Sequence, residues 1–301
     1  MVNITRILCP VDLSEFSRDA LRHALALAEW YDAHVTVCHV YSAPQLLLGD
    51  TGLAGAVVPL LPPVQPEEVA KHVREFCAPS LQNREETVEI VVTEGIAARE
   101  IVRLAGQLAA DLLILGTHGR SGFERLFLGS VTEKVLRTTH APVMTIPPPV
   151  TQPGPALYKT ILCPLDFSDA SARALDYALS LAQEADARLI LLHVIENLLG
   201  EAGASEMGHL NVSEYGRYLE QDAMARLKSA VPEAVRVWPA PEERVASGRA
   251  YREILKVAKA EDVELIVMGV QGKGALSRLV FGSTTHHVIR EAGCPVLTIR
   301  G

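Results

Sequence analysis

The sequence predicts an α/β protein of two tandem, doubly wound, five-stranded parallel sheets of Rossmann-like type. Three observations carry this prediction. Short apolar runs alternate with stretches whose apolar residues recur at helical spacing, the order that builds parallel sheets with right-handed crossovers. A glycine pattern, Gly-x2-Gly-x9-Gly-Ser, follows one such run at Gly116, Gly119, Gly129 and Ser130 and returns at Gly269, Gly272, Gly282 and Ser283. Other landmarks return at nearly the same offset: ILCPVDLS from Ile7 to Ser14 becomes ILCPLDFS from Ile161 to Ser168, and His39-Val40 becomes His193-Val194. A repeat this long means two whole domains rather than short solenoid units.

The elements follow in order. Arg6 to Val11 reads as the first strand, and Ser14 can cap a helix whose apolar face is Leu21, Ala24, Leu25 and Ala28. His34 to Val40 is the second strand. The stretch from Tyr41 to Thr87 is irregular at first and helical from about Glu67. Val88 to Val92 is a third strand, Ala97 to Ala109 a helix and Leu112 to Leu115 a fourth strand. A helix follows Ser130, and Val143 to Ile146 is the fifth strand. The second half repeats this from Thr160, with Ser168 as helix cap; its third strand is expected from Arg236 onward, interrupted by Pro239 and Pro241. Three consecutive prolines, Pro147 to Pro149, open a proline-rich spacer between the halves. The expected domains are residues 1–147 and 157–301, joined by a linker over 148–156.

Bulk properties exclude several classes. The chain has 301 residues and a formal charge of −8, with both halves net acidic, so neither has the basic surplus that nucleic-acid binding requires. The apolar stretch from Leu46 to Leu61 is too short to span a membrane and is broken by Asp50, several glycines and Pro59. The start, Met1 to Arg6, has no signal-peptide apolar region. Five cysteines, without zinc-ribbon spacing, read as buried reduced thiols of a cytoplasmic protein.

Ligands of doubly wound sheets bind beyond the carboxyl ends of the strands. Asp12 and Gly116 end strands there, as do Asp166 and Gly269 in the second half. Gly116 and Gly119 let backbone amides approach a sugar or phosphate, while Gly129 and Ser130 open a helix whose unpaired amides favour an anion. The spacer between the glycines carries Arg120 and Arg125 in one half and Lys273 and Arg278 in the other. Asp12 and Asp166 suit a ribose, a base or a phosphate-bridging Mg²⁺, and equally a helix dipole. Strand-two backbone at Val40 or Val194 can face a base. Ser130 followed by Glu133 matches a capping box, so a structural role for this serine stands beside phosphate contact. His39 and His193 read as satisfied core or crevice residues, and the adjacent His286-His287 as a poor chelating pair. The sequence has no P-loop, nucleophile elbow or zincin helix.

With both glycine patterns, both Pro-x-Asp-x-Ser starts and both terminal Pro-Val strands in view, the chain resembles a tandem universal stress protein of the nucleotide-binding branch. That resemblance implies ATP, or ADP or AMP, held with or without Mg²⁺. In the first half it implies contacts from Pro10, Val11, Asp12, Val40, Gly116, His118, Gly119, Arg120, Gly129, Ser130 and Val131. In the second it implies Pro164, Leu165, Asp166, Val194, Gly269, Gly272, Lys273, Gly282, Ser283 and Thr284. It implies that the two halves form an intramolecular pseudo-dimer through their last strands, and it leaves room for a homodimer. The expected function is a non-enzymatic stress-response regulator with at most slow hydrolysis. The alternatives are an interaction scaffold with one or both sites empty and a slow ATPase or phosphotransferase. His118 becomes Gln271, Arg120 becomes Lys273 and Val131 becomes Thr284, so the two sites need not bind equally. The divergent stretches 42–87 and 196–235 are where an unidentified protein partner would be chosen.

Overall fold

The computed structural model describes residues 2–42, 65–81, 87–118, 128–148, 158–196, 212–233, 240–270 and 281–300. The expected linker over 148–156, apart from Pro148, and most of the glycine-pattern spacers lie outside these residues. Each half alternates strand and helix as expected. The first half runs β1 (Arg6–Pro10), α1 (Glu15–Tyr31), β2 (His34–Tyr41), α2 (Pro66–Leu81), β3 (Val88–Glu94), α3 (Ala97–Gln107), β4 (Leu112–Gly116), α4 (Ser130–Thr138) and β5 (Val143–Ile146). The second runs β6 (Thr160–Pro164), α5 (Asp169–Ala185), β7 (Arg188–Ile195), α6 (Val212–Ala230), β8 (Glu242–Ser247), α7 (Ala250–Ala260), β9 (Leu265–Gly269), α8 (Ser283–Glu291) and β10 (Val296–Ile299). The third strand of the second half runs from Glu242, directly after Pro241; the expected stretch over 236–239 lies outside the described residues. Pro241 has no amide hydrogen to give a ladder, which suits its place just before the strand.

All ten strands join one sheet, in the order β3-β2-β1-β4-β5-β10-β9-β6-β7-β8. Pairing is parallel within each half. The seam is antiparallel, β5 against β10, with Leu297 opposite Met144. It is locked symmetrically: Thr298 Oγ1 donates to the Val143 carbonyl at 3.0 Å, and Thr145 Oγ1 to the Val296 carbonyl at 3.3 Å. Arg300 crosses it to donate to the Thr139 carbonyl at 3.0 Å, and the Tyr31 hydroxyl on α1 donates to Glu184 on α5 at 2.6 Å.

Alternation along the strands divides the core between the two faces of this sheet. Ile7, Cys9, Ile161 and Cys163 point to the face covered by α1, α2, α5 and α6. Leu8, Leu113, Leu162 and Ile266 point to the face covered by α3, α4, α7 and α8. Each apolar cluster contains residues of both halves, so the pseudo-dimer shares its core across the seam. All five cysteines are buried and free. Among the described residues no helix is long and apolar enough to cross a membrane.

Candidate functional site

The turn between β1 and α1 is built by one carboxylate. Asp12 Oδ1 accepts from the Ser14 amide at 3.1 Å and from its hydroxyl at 2.5 Å, while Ser14 Oγ accepts from the Ser17 amide at 3.3 Å. This Asx-type turn holds Leu13 at φ 66°, a conformation disfavoured for a residue with a Cβ. The second half repeats it: Asp166 Oδ1 accepts from Ser168 at 3.0 and 2.6 Å, and Phe167 sits at φ 61°. Both aspartates therefore organise a helix start, whatever else they touch.

The glycines of the motif have a packing reason. A Cβ on Gly116 would lie 3.1 Å from the Phe16 carbonyl oxygen, and one on Gly269 would lie 2.8 Å from the Ala170 carbonyl carbon. Each lets the first turn of α1 or α5 press against the end of the fourth strand of its half. The next pair closes the loop: the Gly129 amide donates to the Thr117 carbonyl at 2.9 Å, as Gly282 does to Val270 at 3.0 Å. The helix that follows is then tethered to the strand. Thr132 Oγ1 donates to the Gly116 carbonyl at 2.9 Å, and Thr285 Oγ1 to the Gly269 carbonyl at 3.0 Å.

The capping box expected at Ser130 is not formed. Gly129 is the N-cap of α4 and makes no side-chain cap, Ser130 is the first helical residue, and Glu133 turns to Arg137 at 2.8 Å. With glycine at the cap, no side chain among the described residues caps the α4 start, whose first amides suit an anion. The same holds at α8, where Gly282 is the cap and Ser283 and Thr284 follow.

These parts enclose a cavity of about 380 Å³ beyond the ends of β1, β2 and β4. That lies within the roughly 300–1,000 Å³ usual for small-molecule sites. Every described first-half residue implicated by the sequence lines it: Pro10, Val11, Asp12, Val40, Gly116, His118, Gly129, Ser130 and Val131. Gly119, Arg120, Arg125, Gly272, Lys273 and Arg278 lie outside the described residues. One end of the cavity is the open α4 terminus; the opposite wall is apolar, with Val40, Ala97 and Ile101.

His118 borders the cavity between them. Its Nδ1 lies 2.9 Å from Thr117 Oγ1, its ring is 5.8 Å from that of Phe16, and burial pulls its pKa below the ordinary value. Its Nε2 is buried and finds no partner among the described residues. His39 instead donates from Nδ1 to the Val11 carbonyl at 2.7 Å, and His193 to the Leu165 carbonyl at 2.7 Å, so both rings are satisfied by backbone. His286 and His287 have rings 6.1 Å apart and nearly perpendicular, and His287 stacks on Tyr251. Among the described residues no three His, Cys, Asp or Glu side chains could jointly hold a metal.

Sequence reasoning missed Ser17, Cys38, Ala97, Ile101, Leu115 and Thr132, which also line the cavity. Thr132 had a readable signal, because Gly-Ser-x-Thr occurs in both copies, at Thr132 and Thr285. Ala97 and Ile101 are one turn apart on α3, a spacing shared with ordinary core stripes. Burial raises Cys38 to about 12, so it faces the cavity as a neutral thiol.

The universal stress protein family model matches residues 3–147 and again residues 157–300. The chain belongs to the universal stress protein family. A universal stress protein of Mycolicibacterium smegmatis is 25% identical over 98% of this chain and 96% of its own length. One from Methanocaldococcus jannaschii is 32% identical over 48% of this chain and 82% of its own. Among solved structures, a universal stress protein from Archaeoglobus fulgidus matches 98% of both chains with a TM-score of 0.63 at 21% identity, a likeness of fold. Both family domains are thus present in one chain and share one sheet.

Proposed function

We propose that this universal stress protein binds ATP or a related adenine nucleotide on its family domains and acts as a regulator that holds the nucleotide more than it consumes it. The observation that carries this reading is the first-half cavity, which joins an uncapped helix terminus to an apolar wall in one crevice. A polyphosphate suits the first, through the Ser130, Val131 and Thr132 amides and the Ser130 hydroxyl. A base suits the second, and the Asp12 carboxylate between them suits a ribose hydroxyl. The unpartnered His118 Nε2 adds a polar contact that a bound ligand would satisfy. A Mg²⁺ would arrive on the phosphates. The second domain repeats the framework with Asp166, Gly269, Gly282 and Ser283.

Slow turnover is the second reading, favoured by His118 alone. Burial favours the neutral form of that imidazole, yet Asp12 is committed to Ser14 and Cys38 stays protonated. Protein unfolded in denaturant to strip bound ligand, then refolded, is expected to bind ATP or ADP with a Kd below millimolar. Lack of any such affinity in a calorimetric titration would sink the nucleotide reading. ATP turnover that His118→Ala abolishes would replace the holding role with an enzymatic one.

A further inference from the structure

Resting on the nucleotide reading above, we infer that the two domains are unequal: the first holds the adenine nucleotide, and the second is weakened by its own Glu196. The Glu196 carboxylate takes the helix-start amide that the first domain leaves open to its cavity.

The two regions are superimposable in backbone logic. After β3, Gly95 at φ 149° donates to the Tyr41 carbonyl at 2.9 Å, Ile96 caps α3, and Ala97 begins it. After β8, Gly248 at φ 148° donates to the Ile195 carbonyl at 3.0 Å, Arg249 caps α7, and Ala250 begins it. Ala97 lines the cavity, and among the described residues no side chain accepts from its amide.

The halves differ at the residue that follows the second strand. In the first half it is Ser42, whose hydroxyl reaches back to the Gly95 carbonyl at 3.5 Å, a marginal contact. In the second it is Glu196, whose Oε1 accepts from the Ala250 amide at 3.0 Å. A hydrogen bond from a helix-start amide to an ionised carboxylate is roughly twice as strong as a neutral one, and the helix dipole favours it further.

The consequence depends on which end of the ligand meets this amide. α3 starts after β3, and β2 and β1 lie between β3 and β4, so the α3 start is about three strand spacings, roughly 14 Å, from the phosphate-facing α4 start. It therefore belongs to the apolar wall with Val40 and Ile101, where a base would lie. A purine edge offers ring nitrogens that accept hydrogen bonds, and the open Ala97 amide can serve one. Glu196 fills the matching amide with an acceptor of its own and turns lone pairs toward the base. A ligand in the second domain must displace a charge-assisted bond before it gains one.

Titrating ATP into the refolded chain by calorimetry tests this, because Ser42 and Glu196 are both exposed and their exchange leaves the core intact. The parent is expected to take one ATP per chain at submillimolar nucleotide. Glu196→Ser, which copies the first half, is expected to add a second site within tenfold of the first. Ser42→Glu is expected to weaken the first site at least tenfold. Glu196→Gln keeps an acceptor oxygen on the amide and is expected to stay with the parent. Two equal sites in the parent, no second site in Glu196→Ser, or a gain in Glu196→Gln as large as in Glu196→Ser each overturn the inference while nucleotide binding stands. Absence of binding in every variant overturns the nucleotide reading itself and this inference with it.

Discussion

The two domains of this chain agree at their helix starts and disagree at the rims of their crevices. Asp12 and Asp166 make the same two bonds to Ser14 and Ser168 within about 0.1 Å, with the intervening Leu13 and Phe167 held at φ 66° and 61°. Thr132 and Thr285 make the same tether. Other positions differ: Glu196 stands where the first half has Ser42, Tyr251 where it has Ala98, and His286 where it has Glu133. What duplication has kept is the set of bonds that shapes a crevice. What has drifted is the set of side chains that decides what enters it.

The shared seam offers the largest test of that comparison. Leu297 is 2% exposed and lies opposite Met144 where β10 meets β5. Leu297→Asp puts an unpaired carboxylate into the common core, at an expected cost of about 4 kcal/mol. Because each apolar cluster contains residues of both halves, the parent is expected to melt in one transition. Urea unfolding followed by fluorescence should show that transition split into two in the variant. A single shifted transition would mean that the domains remain coupled by contacts other than the strand pair.

A second test separates the halves by pH. His23 on α1 is 3% exposed, and burial pushes its pKa from 6.5 down to about 4. The repeat places Tyr177 at the same position of α5, where burial raises the phenol instead. Between pH 6.5 and 4 the unfolded chain binds a proton at His23 that the folded chain refuses. The corresponding stability is therefore complete above about 6.5, falls as the pH drops, and is gone below about 4. A depression of about 2.5 units corresponds to about 3 kcal/mol. His23→Leu should flatten this acid limb when unfolding is compared at pH 7 and 4.5, and Tyr177→Phe should leave it unchanged. An acid limb that survives in His23→Leu would assign it to other groups.

Much of this architecture was legible because strands and helices of a doubly wound domain announce themselves by apolar period. Ser14 and Ser168 were readable as caps because capping is local chemistry, and both accept the expected amide. Ser130 misled for a reason of the same kind. Gly129 can take the cap conformation itself, which shifts Ser130 one position into the helix and leaves Glu133 facing Arg137 rather than the serine amide. The lining by Val40 and Asp12 followed from where strands end. Ile101 and Cys38 were not readable as lining, because a buried apolar residue in a core and one in a crevice look alike in sequence. Glu196 was hidden for a different reason: its partner, Ala250, is 54 residues away and contributes only a backbone amide.

The glycines at the ends of the fourth strands provide a graded pair. An added Cβ at Gly269 would meet backbone atoms of Ala170 and Ser171 at 2.8 and 2.9 Å, whereas at Gly116 the nearest atom is the Phe16 oxygen at 3.1 Å. Backbone in a helix start cannot yield like a side-chain tip, so Gly269→Ala should cost about 2–3 kcal/mol and Gly116→Ala about 1. Equal losses in denaturant midpoint would contradict the tighter approach of α5. Gly116 also lines the cavity, so Gly116→Ala, by shifting the α1 start and the His118 backbone, should lower ATP affinity out of proportion to its stability loss.

The smallest effect is the one that most sharply separates framework from rim. Thr132→Val and Thr285→Val keep the side-chain shape and remove only the hydroxyl that donates to the carbonyl of Gly116 or Gly269. Each leaves a strand-end carbonyl without that donor, at a cost of about 1 kcal/mol, and the two costs should match because the bond lengths do, 2.9 and 3.0 Å. Their consequences for ligand should not match. Thr132 sits in the first turn of the helix that faces the cavity, so releasing it lets the amides of Ser130 and Val131 drift from the positions an anion needs. In the second domain the same release acts on a crevice beside which Glu196 accepts from the Ala250 amide. Paired unfolding and ATP titrations should therefore give equal stability losses but a several-fold affinity loss for Thr132→Val alone. Equal affinity losses in both would show that the second domain carries nucleotide as readily as the first.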